Sequence, residues 1–267
     1  MSGPLETPRL EATGLSKRYK GRVVLDDVGF SVAQGELVAI LGPSGAGKTT
    51  LFRCLTGLTA PDEGSVRIGG AAVTKDAGRA RRRVAIVFQH YNLVGRLSTL
   101  DNVLAGRLGH VSAWRGITRR FSRRDRLLAL DCLDRVGLLS FATARADTLS
   151  GGQQQRVAIA RALAQSADVI IADEPIASLD PTAAAGVLDL LRGIALSDGV
   201  GVVCSLHQTH FARSHSDRIV GLAQGRVVFD GPADAFDEAA AIRLYATPIS
   251  EPDPSLNPTP RFQDIHP

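Results

Sequence analysis

Apolar residues along the chain fall into two spacings. Short unbroken runs with glycine at their borders, Glu36–Leu41, Arg83–Phe88, Val169–Ala172 and Gly201–Leu206, alternate with stretches of helical spacing. A run without polar alternation predicts a strand covered on both faces, as in a parallel sheet between other layers. Residues 9–38 and Gly64–Gly69 instead alternate apolar with polar and contain turns, which predicts an antiparallel side sheet. From about 98 to 160 strand signals stop, and Arg124–Val136 carries apolar residues at helical spacing. The expected fold is therefore α/β, with a mostly parallel central sheet, an antiparallel side sheet and an inserted helical lobe. Residues 1–8 and 247–267 are rich in Pro, Ser, Thr and Asp and are expected to be tails, the second Pro-rich, flanking one domain over 9–246.

Composition narrows the function. The 44% hydrophobic content suits a chain that buries a proper core, while 5% aromatic residues and a net charge of +4 give no stacking surface or strong field for nucleic acid. No stretch approaches the ~20 apolar residues of a membrane span, and Met1–Leu5 lacks the apolar core of a secretory signal. A cytoplasmic location is expected. Cys54, Cys132 and Cys204 show no metal-ligand spacing and are expected to be buried free thiols.

The strand ending at Leu41 runs into Gly42-Pro43-Ser44-Gly45-Ala46-Gly47-Lys48-Thr49-Thr50, which fits G-x-x-x-x-G-K-[ST], and then into a helical pattern from Leu51. Glycines let the backbone wrap a phosphate, Lys48 neutralises the β/γ charge, and the Thr49 hydroxyl serves Mg²⁺. The order of strand, loop and helix predicts a P-loop NTPase core that binds a nucleoside triphosphate.

Val169-Ile-Ile-Ala-Asp173-Glu174 places two carboxylates at the end of a buried strand. There Asp173 is expected in the Mg²⁺ shell and Glu174 as the general base facing the attacking water. His207 ends another apolar run and Gln89 a third, so both are expected at the same strand-end crevice, His207 toward the γ-phosphate and Gln89 toward Mg²⁺ or its water. Leu149-Ser150-Gly151-Gly152-Gln153 opens a strong helical pattern, giving a second helix N-terminus able to grip phosphate. Two grips in one chain predict a head-to-tail homodimer with each ATP held between the copies.

The ordered set of phosphate loop, Gln89, Ser150–Gln153, Asp173-Glu174, Ser178-Leu179-Asp180 and His207 resembles the ATPase subunits of ABC transporters over nearly all of residues 9–245. The resemblance implies that Tyr19 stacks on the adenine and that Asp180 contacts the partner copy. Alone, they read as a strand aromatic and a helix cap. It further implies multi-span permease subunits, an extracytoplasmic substrate-binding protein and a peripheral position on the cytoplasmic face of the membrane.

Phe88–Leu97, Asp101–Leu104, Gly106–Gly109 and Ala113-Trp114-Arg115 look like the ATPase subunit of phosphonate importers, with His90 where that subfamily has a second glutamine. The expected cargo is phosphonate or a related phosphorus oxyanion. The alternatives are another small polar solute, or a soluble non-transport ABC ATPase, a class that usually carries two nucleotide domains or a long coiled coil. Arg107, Arg115, Arg119, Arg120, Arg123, Arg124 and Arg126 make part of the lobe basic, which reads either as a solvated face or as a face toward membrane subunits or anionic headgroups.

Overall fold

The computed structural model describes residues 7–74, 82–112, 114, 116, 118 and 120–246. The tails expected over 1–8 and 247–267 lie outside these residues except for Thr7 and Pro8, as do Ala113, Arg115 and Arg119. Among the described residues ten strands form two sheets. The side sheet contains β1 (Leu10–Tyr19), β2 (Arg22–Val32), β4 (Glu63–Ile68) and β5 (Ala71–Ala72), all antiparallel, in the order β2-β1-β4-β5. The central sheet contains β3 (Leu37–Leu41), β6 (Val84–Val87), β7 (Val169–Ala172), β8 (Gly201–Ser205), β9 (Arg218–Ala223) and β10 (Arg226–Pro232). Its order is β10-β9-β3-β8-β7-β6, parallel throughout except for the antiparallel edge pair β9–β10.

The unbroken apolar runs find their explanation in the packing. Leu37, Ala39 and Leu41 of β3 enter one core, whereas Val38 and Ile40 enter another on the opposite face. Ile170 and Ala172 of β7 likewise separate from Val169 and Ile171. Each side chain is removed from water on whichever face it lies, and a fully buried Leu or Ile contributes about 1.5–3 kcal/mol. A polar residue in these strands would lose that on either face.

Helix α1 (Lys48–Leu55) lies in the core shared with the side sheet, burying Leu51, Phe52, Cys54 and Leu55. The opposite face is covered by α2 (Thr99–Leu104), α3 (Arg123–Arg135), α4 (Gly151–Ala164), α5 (Pro181–Asp198), α6 (Thr209–His215) and α7 (Glu238–Tyr245). Between β6 and β7 the described residues hold α2, α3, α4 and short 3-10 turns, with no strand. Leu104, Leu133 and Val157 of these helices belong to the same core as Ile170 and Val202 of the sheet, so this segment is packed onto the sheet. Ser98 caps α2, and Ser122 and Ser150 close capping boxes with Asp125 and Gln153 at the starts of α3 and α4. All three cysteines are free and buried; burial pushes the Cys54 and Cys132 thiols up to about 11.

Strands β9 and β10 escaped the sequence reading. Arg218–Ala223 is as apolar as the recognised runs, and Arg226–Pro232 alternates half-buried with exposed positions, as an edge strand does. Their glycines, Gly221 and Gly231, weakened the pattern.

Candidate functional site

Parallel pairing aligns the strand ends that carry the motifs. Ile40 of β3 pairs with Ser205 of β8, Ala172 of β7 with Cys204, and Val87 of β6 with Ala172. The segments starting at Gly42, Gln89, Asp173 and Leu206 therefore leave the same carboxyl edge, where ligands of open parallel sheets bind.

The loop between β3 and α1 is fixed from below. A Cβ on Gly42 would stand 2.2 Å from the Leu222 carbonyl oxygen of β9, so no side chain fits there. Gly47 has φ +104, in the left-handed region, and a Cβ would meet the Val24 carbonyl oxygen of β2 at 2.7 Å. The loop is thus clasped between both sheets. Ser44, Gly45 and Thr49 are exposed, while Pro43 and Thr50 are half-buried and Ala46 buried. Lys48 is buried, and its Nζ donates to the carbonyls of Gly42 at 2.6 Å and Pro43 at 3.1 Å. Burial pulls its pKa down, opposed by the negative charges of Glu174 and Asp173.

Those carboxylates form a connected set. Asp173 N–H donates to Val87 O at 2.9 Å and ends the ladder, after which Glu174 turns into the left-handed region at φ +48. Ser205 Oγ donates to Asp173 Oδ1 at 2.9 Å and accepts from Glu174 N–H at 2.8 Å. His207 Nε2–H donates to Glu174 Oε1 at 2.6 Å, with the imidazole half-exposed. Burial raises the pKa of Asp173, with the Ser205 hydrogen bond pulling the other way. Thr49, Asp173 and the amide of Gln89 supply oxygen donors, a hard set suited to Mg²⁺ alongside phosphate oxygens and water. Among the described residues no three His, Cys, Asp or Glu side chains form a cage, so the cation would depend on the nucleotide for the rest of its shell.

Gln89 is half-buried two residues past β6. The loop after it is pinned by two residues that sequence reasoning passed over. Arg161 of α4 donates to Tyr91 O at 2.8 Å and Asn92 O at 2.6 Å, across left-handed backbone at both residues. Asn102 of α2, 2% exposed, bonds Val94 N at 2.8 Å and Val94 O at 3.1 Å. Ser205 was missed as well. For Ser205 and Arg161 the one available signal was a polar residue inside an apolar stretch.

The remaining expected residues make their contacts elsewhere. Ser150 and Gln153 bond each other at the exposed start of α4. Gly151 lies against the Tyr91 hydroxyl, where a Cβ would approach to 3.0 Å, and Gly152 against Ala183 at 3.5 Å. Asp180 caps α5 through Thr182 N–H and Ala183 N–H, and Tyr19, 39% exposed, ends β1 with the Lys17 ammonium over its ring. Arg107 departs from the basic face expected of the lobe. Its side chain is 15% exposed, with the guanidinium held by Asp125 and Ala164 O. Arg120, Arg123, Arg124 and Arg126 are exposed.

The ABC transporter family model matches residues 25–177. The hypophosphite import ATP-binding protein HtxD of Stutzerimonas stutzeri is 49% identical over 247 residues, 91% of this chain and 72% of that protein. The phosphonates import ATP-binding protein PhnC 1 of Rhodopseudomonas palustris is 48% identical over 240 residues, covering 88% and 89%. A dimeric ATP-binding cassette solved in a post-hydrolysis state with ADP and Pi is 34% identical, with a TM-score of 0.72 over 85% of this chain and all of that one. A lysine-bearing loop and paired carboxylates at one sheet edge, in a fold shared with ATP-binding cassettes, lead to one assignment: the chain belongs to the ABC transporter family.

Proposed function

We propose that this chain hydrolyses MgATP to drive import of a phosphonate or a related phosphorus oxyanion through separate membrane subunits. The observation that carries the hydrolytic reading is the buried Lys48 sharing one field with Asp173 and with a Glu174 already hydrogen-bonded to His207. The cargo rests on the names of the relatives.

In this reading the backbone of Gly42–Thr50 wraps the phosphates, and Lys48 exchanges its two carbonyl contacts for charge-assisted bonds to phosphate oxygens. Thr49, Gln89 and Asp173 would hold Mg²⁺, whose charge offsets that of the phosphates. Glu174 takes a proton from the attacking water while His207 fixes its carboxylate and reaches the γ-phosphate. Tyr19 stacks on the adenine. Ser150–Gln153, at the start of α4, and Asp180, capping α5, complete the partner copy's site in a homodimer.

A cleft of about 440 Å³ at the junction of β6 and the helical segment, lined by Leu58, Ile86, Phe88, His110 and Arg161, supports docking of a permease subunit beside the Gln89 loop. Among the described residues no helix is long and apolar enough to cross a membrane, and the likeness to import ATP-binding proteins supports a peripheral place on the cytoplasmic face. A substrate-binding protein completes the importer, and nucleic acid has no part in it.

The test uses the base and the dimer together. Glu174→Gln keeps the shape and removes the basicity, so hydrolysis is expected to fall at least a hundredfold, roughly the contribution of a general base. Bound ATP then holds two copies together. Size exclusion with light scattering is expected to show a dimer with ATP but not ADP, abolished by adding Ser150→Arg. Hydrolysis by Glu174→Gln at the wild-type rate removes Glu174 as the base, and an ATP dimer that survives Ser150→Arg removes the shared site.

A further inference from the structure

We propose that Ser205 is a positioning residue for hydrolysis, setting Glu174 against Asp173; this rests on the reading of Glu174 as the base. Ser205 is the last residue of β8, fully buried after Val202, Val203 and Cys204. Its hydroxyl is engaged in both directions, and both partners belong to the acidic pair: it donates to Asp173 Oδ1 and accepts from Glu174 N–H.

The strand does not need that hydroxyl. The backbone of β8 is paired on both sides, with β3 as far as Ser205 itself and with β7 as far as Cys204. Glu174 does need it. Asp173 N–H is the last to follow the β6–β7 ladder, and Glu174 then takes a left-handed backbone that strains a non-glycine residue. The Ser205 oxygen gives the Glu174 N–H a partner in that conformation and offsets the strain. The same hydroxyl fixes the rotation of the Asp173 carboxylate through Oδ1. One side chain therefore holds the turn that sends Glu174 toward His207 and the orientation of its neighbour.

Such a residue acts mainly on turnover, because Lys48 and the Gly42–Thr50 backbone, to which it makes no bond, grip the phosphates in this reading. Ser205→Ala is expected to lower kcat tenfold to a hundredfold, the usual effect of removing a group that orients a site residue, with KM within about twofold. Ser205→Cys, close in size but a poor hydrogen-bonding partner, is expected to follow Ser205→Ala, and Ser205→Thr, which keeps the hydroxyl, to recover most of the turnover. Independently of activity, calorimetry is expected to show wild-type ATP affinity in Ser205→Ala, and light scattering to show an ATP-dependent dimer.

Wild-type kcat in Ser205→Ala overturns the proposal, as does a loss of ATP affinity parallel to the loss of kcat. A Ser205→Thr variant with an unchanged melting temperature that is as slow as Ser205→Ala also overturns it. Glu174→Gln assayed alongside separates the two failures. If it turns over like wild type, the base is misassigned; if it is inactive while Ser205→Ala is fast, only the positioning role is wrong.

Discussion

Lys48 is held in a place that a lysine would not choose for stability. Burial depresses its pKa, and its Nζ is bonded to two carbonyls and not to a carboxylate. A buried cation without an ion-pair partner contributes little to folding, so the arrangement makes sense as a phosphate receptor. Lys48→Ala is therefore expected to weaken ATP binding at least a hundredfold, about 3 kcal/mol, with the melting temperature near that of wild type. Calorimetry and thermal melting check the two halves. At this scale the phosphate loop was legible in the sequence because its chemistry is local: consecutive residues make one loop. Ser205 and Arg161 were not, because their partners lie 31 and 70 residues away and a serine at the end of a strand or an arginine in a helix reads as ordinary. Arg107 shows the converse error, a charge read as exposed that is half-buried against Asp125.

Single elements show how far local pattern reaches. The central strands were legible because both faces of each are covered, whereas β9 and β10 were obscured by glycines that pack closely, Gly221 against Phe229 and Leu244. The cap of α3 is also tied to α4, because Arg107, in the 3-10 turn after α2, bonds both Asp125 and Ala164 O. Asp125 closes the capping box of α3, and its carboxyl lies below the usual range because of the Ser122 hydrogen bond first and the Arg107 guanidinium after it. A depressed carboxylate stabilises the fold above its unfolded pKa, near 3.9, and that contribution disappears as pH falls through the lower folded value. Arg107→Ala leaves Asp125 with half its partners and is expected to destabilise by about 2 kcal/mol at pH 7, by denaturant titration, against under about 0.5 kcal/mol for the exposed Arg124→Ala. Asp125→Asn is expected to flatten the loss of stability below pH 4.

For the whole molecule, the fold class was readable from periodicity and motif order, while the meeting of distant motifs at one edge follows from parallel register, which no local window contains. If the cleft beside the Gln89 loop receives the permease, single cysteines placed at residues 90–115 are expected to cross-link to it, and those on 217–245 are not. Labelling confined to the second face would reverse the docking orientation. Arg161 adds a mechanical consequence. It clamps the loop after Gln89 from a point 11 residues along the helix that begins with Ser150, about 17 Å away at the helical rise. A packed helix is stiff along its axis over that length. In the proposed dimer the loop after Gln89 and the start of that helix are therefore expected to move together, so that a load applied at the cleft would reach the other copy's nucleotide.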